Sequence, residues 1–222
     1  MGLIPSPVAS LALLALCPAC LGRASGSAAP AGRTGRDLSA LDSLLVQRRS
    51  VRSYADSSLT REEVVHLLWA ACGLLPDERR TVPSAGALYP LRLIVVCGDV
   101  EGISAGIYGF SPTDSSLTLV AAGDLRDDLS DACAGQPWVS TAPAAIVIAA
   151  EPEVTVAHYG DRGMRYVILE AGHASQNIYL ECASISLGTV AVGAFDDSAV
   201  AAVCRLSADE MPIYVMPVGR ID

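Results

Sequence analysis

Pro83-Ser84-Ala85-Gly86-Ala87-Leu88-Tyr89-Pro90 is a run of small residues bounded by prolines, and it leads straight into the apolar run Leu91 to Cys97. A backbone this poorly covered by side chains can approach a flat or anionic ligand closely. The apolar run that follows reads as a buried strand. Upstream, Thr60-Arg-Glu-Glu63 is a capping box, and Val64, Leu67, Leu68 and Ala71 continue it as one helical face. Gly73 and Pro76 stop that helix. Further upstream, Asp37 to Gln47 carries Leu38, Leu41, Leu44 and Leu45 at helical spacing, with Ser39 or Asp37 as cap.

Downstream, Ile107 to Phe110 and Leu117 to Ala121 flank a Ser/Pro/Asp-rich turn and predict a hairpin. Asp124 to Ala134 predicts a helix. Ala142 to Ala150 is almost continuously apolar, as expected of a central strand buried on both faces. The spacing predicts one long helix over Asp161 to Leu187, ended by Gly188. A short strand over Thr189 to Val192, a helix over Asp196 to Cys204 and a closing strand over Ile213 to Val218 complete the chain. Helices and strands mix around one sheet, without repeats and without a second domain.

Composition narrows the chemistry. The chain has 222 residues, is 51% apolar and carries a net charge of −9. It is too apolar for a disordered chain, and its charge argues against nucleic acid as a partner. All fifteen cations are arginine and there is no lysine. A lysine Schiff base and a Walker-type phosphate lysine are therefore excluded. Any bound anion must be held by arginine, backbone N–H groups or helix ends. The seven cysteines form no metal-ligand pattern, and Cys72, Cys97 and Cys182 read as small buried hydrophobes. With three histidines and no H-E-x-x-H, a zinc hydrolase is not expected, and no metal site is assigned.

Residues 1–30 read as an export leader: a short apolar run, Val8 to Leu16, then small residues around Ser27-Ala28-Ala29. No cation precedes the run, so a misplaced start or an uncleaved anchor stays open. A functional leader implies a periplasmic or extracellular protein; without one it is cytoplasmic. Residues 31–38 form a linker and 39–222 the folded domain.

Four groups carry chemistry. Arg48, Arg49, Ser50 and Arg52 put three guanidiniums and a hydroxyl at a helix-to-loop junction, either a phosphate clamp or a solvated basic patch. His173, Gln176 and Asn177 share one face of the long helix. They are either ligand contacts or core polar groups with satisfied partners, and Glu170 lies one turn before His173, placed to orient its ring. Val192-Gly193-Ala194 breaks a strand before a helix start, where free N–H groups can meet the edge of a ring system. Gly219-Arg220 places a cation just after the last strand.

In this order, the motifs Arg48 to Tyr54, Pro83 to Pro90, Glu170 to Asn177, Gly193 to Asp197 and Pro217 to Arg220 resemble the FMN-dependent nitroreductase superfamily. The nearest branch is similar to the SagB-type, thiazoline/oxazoline dehydrogenase-like group. The resemblance spans residues 40 to 221. It implies an α+β fold, a mostly antiparallel central sheet wrapped by helices, in a homodimer with FMN at the interface. It implies that Arg48, Ser50 and Arg52, with Arg49 and Arg220, hold the FMN phosphate and ribityl chain. Pro83, Ser84, Ala85 and Gly86 approach the isoalloxazine of the other subunit. Gly193 and Ala194 face the ring edge, and Asn177 and Gly219 join the cofactor set. The resemblance further implies that hydride passes through flavin N5 between NAD(P)H or an organic donor and an organic acceptor, in a ping-pong scheme. Tyr89, Tyr166 and His173 are the candidates for substrate contact. Thiazole-forming members carry a Lys-Tyr pair; Arg165-Tyr166 offers no equivalent base, because arginine does not deprotonate. A non-catalytic flavin-binding homologue is the remaining alternative.

Overall fold

The computed structural model describes residues 38–221, which form one compact unit. The expected leader and all of the linker except Leu38 lie outside the described residues. The helices are α1 (Ala40–Gln47), α2 (Arg61–Cys72), α3 (Arg126–Ala132), α4 (Pro137–Thr141), α5 (Glu153–Tyr159), α6 (Gly163–Ser184) and α7 (Asp197–Cys204). The strands are β1 (Leu59–Thr60), β2 (Leu91–Cys97), β3 (Val100–Glu101), β4 (Gly106–Ser111), β5 (Ser116–Ala122), β6 (Ala144–Ala150), β7 (Leu187–Thr189) and β8 (Met211–Arg220).

Six strands form the central sheet in the order β5-β4-β2-β6-β8-β7, and every pairing is antiparallel. β1 and β3 make a small parallel pair beside it. The expected α+β architecture is therefore present. β6 lies in the middle, and all seven of its residues are buried. Its alternation feeds two cores. Ile146 and Ile148 join Leu93 and Val95 under Leu67 of α2 and Val167, Ala171 and Ile178 of α6. Ala145 and Val147 join Ile94 and Val96 under Leu129 of α3, Cys133 just after it, and Val200 and Cys204 of α7. Each face of the sheet is thus closed by helices, which is what a strand without a polar face requires.

Both expected N-caps form. Ser39 caps α1 and Thr60 caps α2, each in a capping box, with Asp42 and Glu63 respectively at the third helical position. The long helix is shorter than expected at both ends. Gly160, at φ 56° and ψ −140°, breaks the chain before a single 3-10 turn, and α6 begins at Gly163. At the other end, Ser186 adopts φ 59° and turns the chain away, so Gly188 lies in β7 and does not terminate the helix. The strand expected over Thr189 to Val192 is displaced accordingly: pairing with β8 covers Leu187 to Thr189, and Val192 makes an isolated bridge to Val215. Helices α4 and α5 were not expected. They are five and seven residues long and begin at or just after a proline, Pro137 and Pro152.

All five described cysteines are buried free thiols. Among the described residues, no helix is long and apolar enough to cross a membrane.

Candidate functional site

The segment after α1 lies along the end of the sheet, and two glycines allow it to. Gly188 and Gly219 face each other in the β7–β8 register. A Cβ on Gly188 would sit 2.7 Å from the Val51 side chain, and one on Gly219 would sit 2.7 Å from the Tyr54 ring. The bare strands let residues 50–55 settle against them. Ser50 bridges Thr189, the Val51 N–H donates to the Thr189 carbonyl at 2.9 Å, and the Ala55 N–H donates to the Arg220 carbonyl at 2.9 Å. The Tyr54 hydroxyl lies 3.1 Å from both the Val51 and Pro217 carbonyls. Burial raises its pKa well above the usual phenol value.

This anchoring presents the arginine segment to a cleft lined by Arg48, Arg49, Val51, Tyr179, Ser186 and Thr189. The Arg48 guanidinium lies over the Tyr179 ring, 5.3 Å from its centroid, and Arg52 lies over the Trp138 ring at 5.6 Å. Arg49, Ser50 and Arg52 are exposed. Among the described residues, Arg48, Arg49 and Arg52 make no ion pair, whereas Arg79, Arg92, Arg126 and Arg220 each have a carboxylate. Three unneutralised guanidiniums in an acidic protein make this segment a local positive field. Two buried polar atoms beside it lack partners: Thr189 Oγ1, in the cleft wall, and Trp138 Nε1, in the ring under Arg52.

Arg220 is placed differently from its expected partners. Its Nη2 pairs with the Glu63 carboxylate at 3.0 Å and its Nε reaches the Ser58 carbonyl at 3.3 Å. Glu63 thereby closes the α2 cap and holds the end of β8 at once. Gly219 serves the packing of Tyr54.

Tyr179 was not singled out from sequence, yet it joins two of the expected pieces. Its hydroxyl accepts from the Ala191 N–H at 2.8 Å and shares a 3.1 Å hydrogen bond with Ser50 Oγ. Ala191 opens the turn that carries Gly193 and Ala194, both exposed. Gln136 Nε2 donates to the Ala194 carbonyl at 3.0 Å and fixes the far side of that turn.

The Pro83–Pro90 loop is a separate piece of the same chain. Gly86, Ala87 and Tyr89 all have positive φ, 62°, 53° and 51°. Left-handed backbone is disfavoured for the alanine and the tyrosine, so the surroundings must impose it. Ser84 Oγ accepts from the Tyr89 N–H at 2.9 Å, and the Ala87 N–H donates to the Ser84 carbonyl at 3.2 Å. The Arg80 guanidinium covers the Tyr89 ring at 4.7 Å. A Cβ on Gly86 would lie 2.9 Å from the Tyr159 hydroxyl. Pro83 is exposed, and Ser84 and Ala85 are half-buried.

Helix α6 supports this loop from below. Asn177 Nδ2 donates to the Ala70 carbonyl at 3.0 Å and the Thr81 carbonyl at 3.2 Å, so its amide is committed to the loop's base. Glu170 is buried, and its Oε1 has no hydrogen-bond partner. The expectation that Glu170 orients His173 is corrected: the two side chains leave the helix in different directions, Glu170 inward and His173 to solvent. Burial pushes the Glu170 carboxyl up to about 7, partly opposed by Ser84 and Arg80. Tyr166 stacks edge-on against Tyr159, ring centroids 5.0 Å apart. Tyr89, Tyr166 and His173 are not brought together by any contact among the described residues.

The comparisons with known proteins agree with this architecture. The model of the nitroreductase family matches residues 45–220. A Methanocaldococcus jannaschii protein named "putative nitroreductase" is 44% identical over 182 residues, 81% of this chain and 90% of its own. The crystal structure of a Ralstonia eutropha protein described in the same words superposes with a TM-score of 0.72 at 28% identity, covering 87% of this chain and 88% of that one. A chain of the E. coli microcin synthetase McbBCD complex, bound to truncated pro-MccB17, shares the fold with a TM-score of 0.70 at 24% identity, over 94% of this chain and 83% of that one. With a family match over most of its folded part and a relative at 44% identity, this chain belongs to the nitroreductase family, whose members are oxidoreductases that generally bind flavin.

Proposed function

We propose that the chain is an FMN-dependent oxidoreductase that acts as a homodimer and moves hydride between NAD(P)H or an organic donor and an organic acceptor. The observation that carries this reading is the arginine segment: Arg48, Arg49 and Arg52 flank Ser50 in the chain and have no carboxylate partners among the described residues. The cleft beside it holds the unpartnered Thr189 hydroxyl. Guanidinium forks and hydroxyls suit a phosphate and a polyol chain. The residues present fit FMN.

FMN supplies a centre that accepts and returns hydride, the chemistry that no side chain here can provide. The protein's part is to bind, orient and keep water out. Arg48, Arg49, Ser50 and Arg52 hold the phosphate end. Arg220 joins them only on leaving Glu63. The exposed turn Gly193–Ala194, steadied by Tyr179 and Gln136, offers backbone N–H groups to the ring edge. Pro83, Ser84, Ala85 and Gly86 lie against the ring bound by the other subunit, with Tyr89, Tyr166 and His173 on the substrate side. Asn177 acts through the Thr81 carbonyl on the loop's base, and Gly219 through the packing of Tyr54. Dimerisation fits the unpartnered apolar side chains of two helices that pack together, Leu41, Leu45 and Val46 of α1 and Ile168 and Leu169 of α6.

A narrower reading, oxidation of azoline peptides, draws on the motif resemblance to the SagB-type branch. The missing lysine argues against it, because Arg165 cannot take the proton that must leave. Purification with added FMN separates the readings. Yellow protein that bleaches with NAD(P)H and recovers with a quinone or nitroarene supports the oxidoreductase. Bound flavin that no donor reduces supports a non-catalytic flavin-binding homologue. Colourless protein that rejects FMN overturns both.

A further inference from the structure

The junction between α3 and α4 was not among the pieces expected to meet a ligand, yet it reaches two of them. Helix α3 ends in a tight turn: Ala134 and Gly135 adopt φ 57° and 68°, and the Gly135 N–H donates to the Ser130 carbonyl at 2.9 Å. Gln136 follows with its backbone fixed, its carbonyl accepting from the Ser130 hydroxyl at 2.9 Å and from the Val139 N–H at 3.0 Å. The Gln136 side chain then meets two carbonyls, Cys133 at 2.9 Å and Ala194 at 3.0 Å. Both partners can only accept, so the amide nitrogen faces them and gives one hydrogen to each. Two residues on, the Trp138 ring lies under Arg52.

The turn at Ala194 is held to the end of α3 on both sides of Phe195, because the Asp196 N–H donates to the Ala132 carbonyl at 2.9 Å. The described residues contain no cis peptide bond. In a trans peptide the carbonyl and the following N–H point in opposite directions. With the Ala194 carbonyl drawn to Gln136, the Phe195 N–H must point to the other side of the turn. Among the described residues it has no acceptor, and neither have the N–H groups of Gly193 and Ala194.

We infer that Gln136 is a positioning residue: by holding the Ala194 carbonyl it presents the Phe195 N–H as a third free donor beside those of Gly193 and Ala194, and this row sets how readily the bound flavin is reduced. The inference rests on the proposed function for the flavin at this turn, but not for the orientation of the peptide. Reduction adds negative charge to the ring, and fixed N–H groups at its edge favour that charge. The same peptide turned over would offer the Ala194 carbonyl instead, an acceptor facing the charge it should relieve.

The test compares wild-type protein with Gln136→Glu and Gln136→Met. Glutamate keeps the shape and loses both donors while it is ionised; methionine loses them without adding charge. The chain has two phenylalanines, so nitrogen-labelled phenylalanine gives two amide signals, with Phe110 of β4 as the internal control. In FMN-free protein the Phe195 signal is expected to move in both variants. In Gln136→Glu it is expected to return toward wild type at about pH 5, where the neutral acid donates again. Once loaded, both variants are expected to favour reduced over oxidised flavin about tenfold less than wild type, a potential lower by about 30 mV. Affinity for oxidised FMN, set by the arginine segment, changes little. A Phe195 signal unmoved in both variants, or potentials equal to wild type, overturns the inference. If Gln136→Glu does not fold, Gln136→Met carries both arms. A Phe195 signal that responds in protein unable to take FMN upholds the orientation of the peptide and sinks the proposed function instead.

Discussion

The Tyr179 hydroxyl accepts from the backbone N–H of Ala191 at 2.8 Å while it hydrogen-bonds Ser50 Oγ at 3.1 Å. One phenol therefore sets the distance between the arginine segment and the turn that carries Gly193. Tyr179→Phe leaves the Ala191 N–H without its acceptor, at a cost of about 1–3 kcal/mol. Thermal unfolding should move down accordingly, and FMN titration should show weaker binding. A variant with unchanged stability and unchanged affinity would show that water replaces the phenol without loss.

Arg48→Ala and Arg52→Ala should each weaken FMN binding by about tenfold or more, since a hydrogen bond to a charged group contributes about 1.5–3 kcal/mol. Flavin fluorescence in equilibrium titrations checks this. Because these side chains are exposed or half-exposed, wild-type affinity should also decline as salt rises. Arg220→Ala should behave differently: its first effect is the loss of the Glu63 pair that ties β8 to α2, about 0–1 kcal/mol for a half-exposed ion pair.

Gly188→Ala and Gly219→Ala should lift residues 50–55 off the sheet. Each added methyl would fall 2.7 Å from an atom of Val51 or Tyr54. The expected cost is about 1–3 kcal/mol in unfolding free energy. Loss of FMN should accompany it, because the cations ride on the displaced segment. Retained affinity in a destabilised variant would separate the packing from the binding.

Glu170 should make the FMN-free protein less stable as pH rises from about 4.5 to about 7. Its folded pKa lies above its unfolded one, so over that window the folded state holds more proton and each step up in pH favours unfolding. Above it the penalty stays constant. Glu170→Gln should remove this slope, so denaturant midpoints of the two proteins should diverge toward pH 8, with the variant ahead.

Leu169→Glu on α6, or Leu41→Glu on α1, should yield a monomer by sedimentation, because a charge in an apolar contact is not desolvated cheaply. The same variant should hold FMN poorly if each flavin needs the Pro83–Pro90 loop of the other subunit. A stable monomer with full flavin occupancy would remove the dimer from the proposed site.

Strand β2 was legible residue for residue, because seven uninterrupted strand residues stand between Pro90 and Gly98. The caps of α1 and α2 were equally legible, since a capping box is local chemistry. The arginine segment and the small-residue loop showed themselves by composition. What stayed hidden is non-local. Tyr179 meets Ser50 across 129 positions, and Glu63 meets Arg220 across 157, so no periodicity announces either pair. Glu170 looked like a neighbour of His173 because sequence shows only the helix both ride on, not that Glu170 faces inward and His173 solvent. The C-terminal end of α6 was misjudged because the chain turns at Ser186, in left-handed backbone that a serine does not advertise, before β7 pairs with β8.

The five sequestered thiols have a bearing on the protein's biogenesis. Burial pushes Cys72 and Cys133 up to about 11 and Cys97 and Cys204 up to about 12, so in the finished fold they are neither ionised at neutral pH nor reachable. The nascent chain has no such protection. It carries seven cysteines, and any crosslink between Cys97 in the sheet and a partner elsewhere would compete with the packing of β2. Where an oxidant is present, folding must outrun it. An alkylating reagent then becomes a clock: its rate of uptake by native protein counts openings of the core, one irreversible mark at a time.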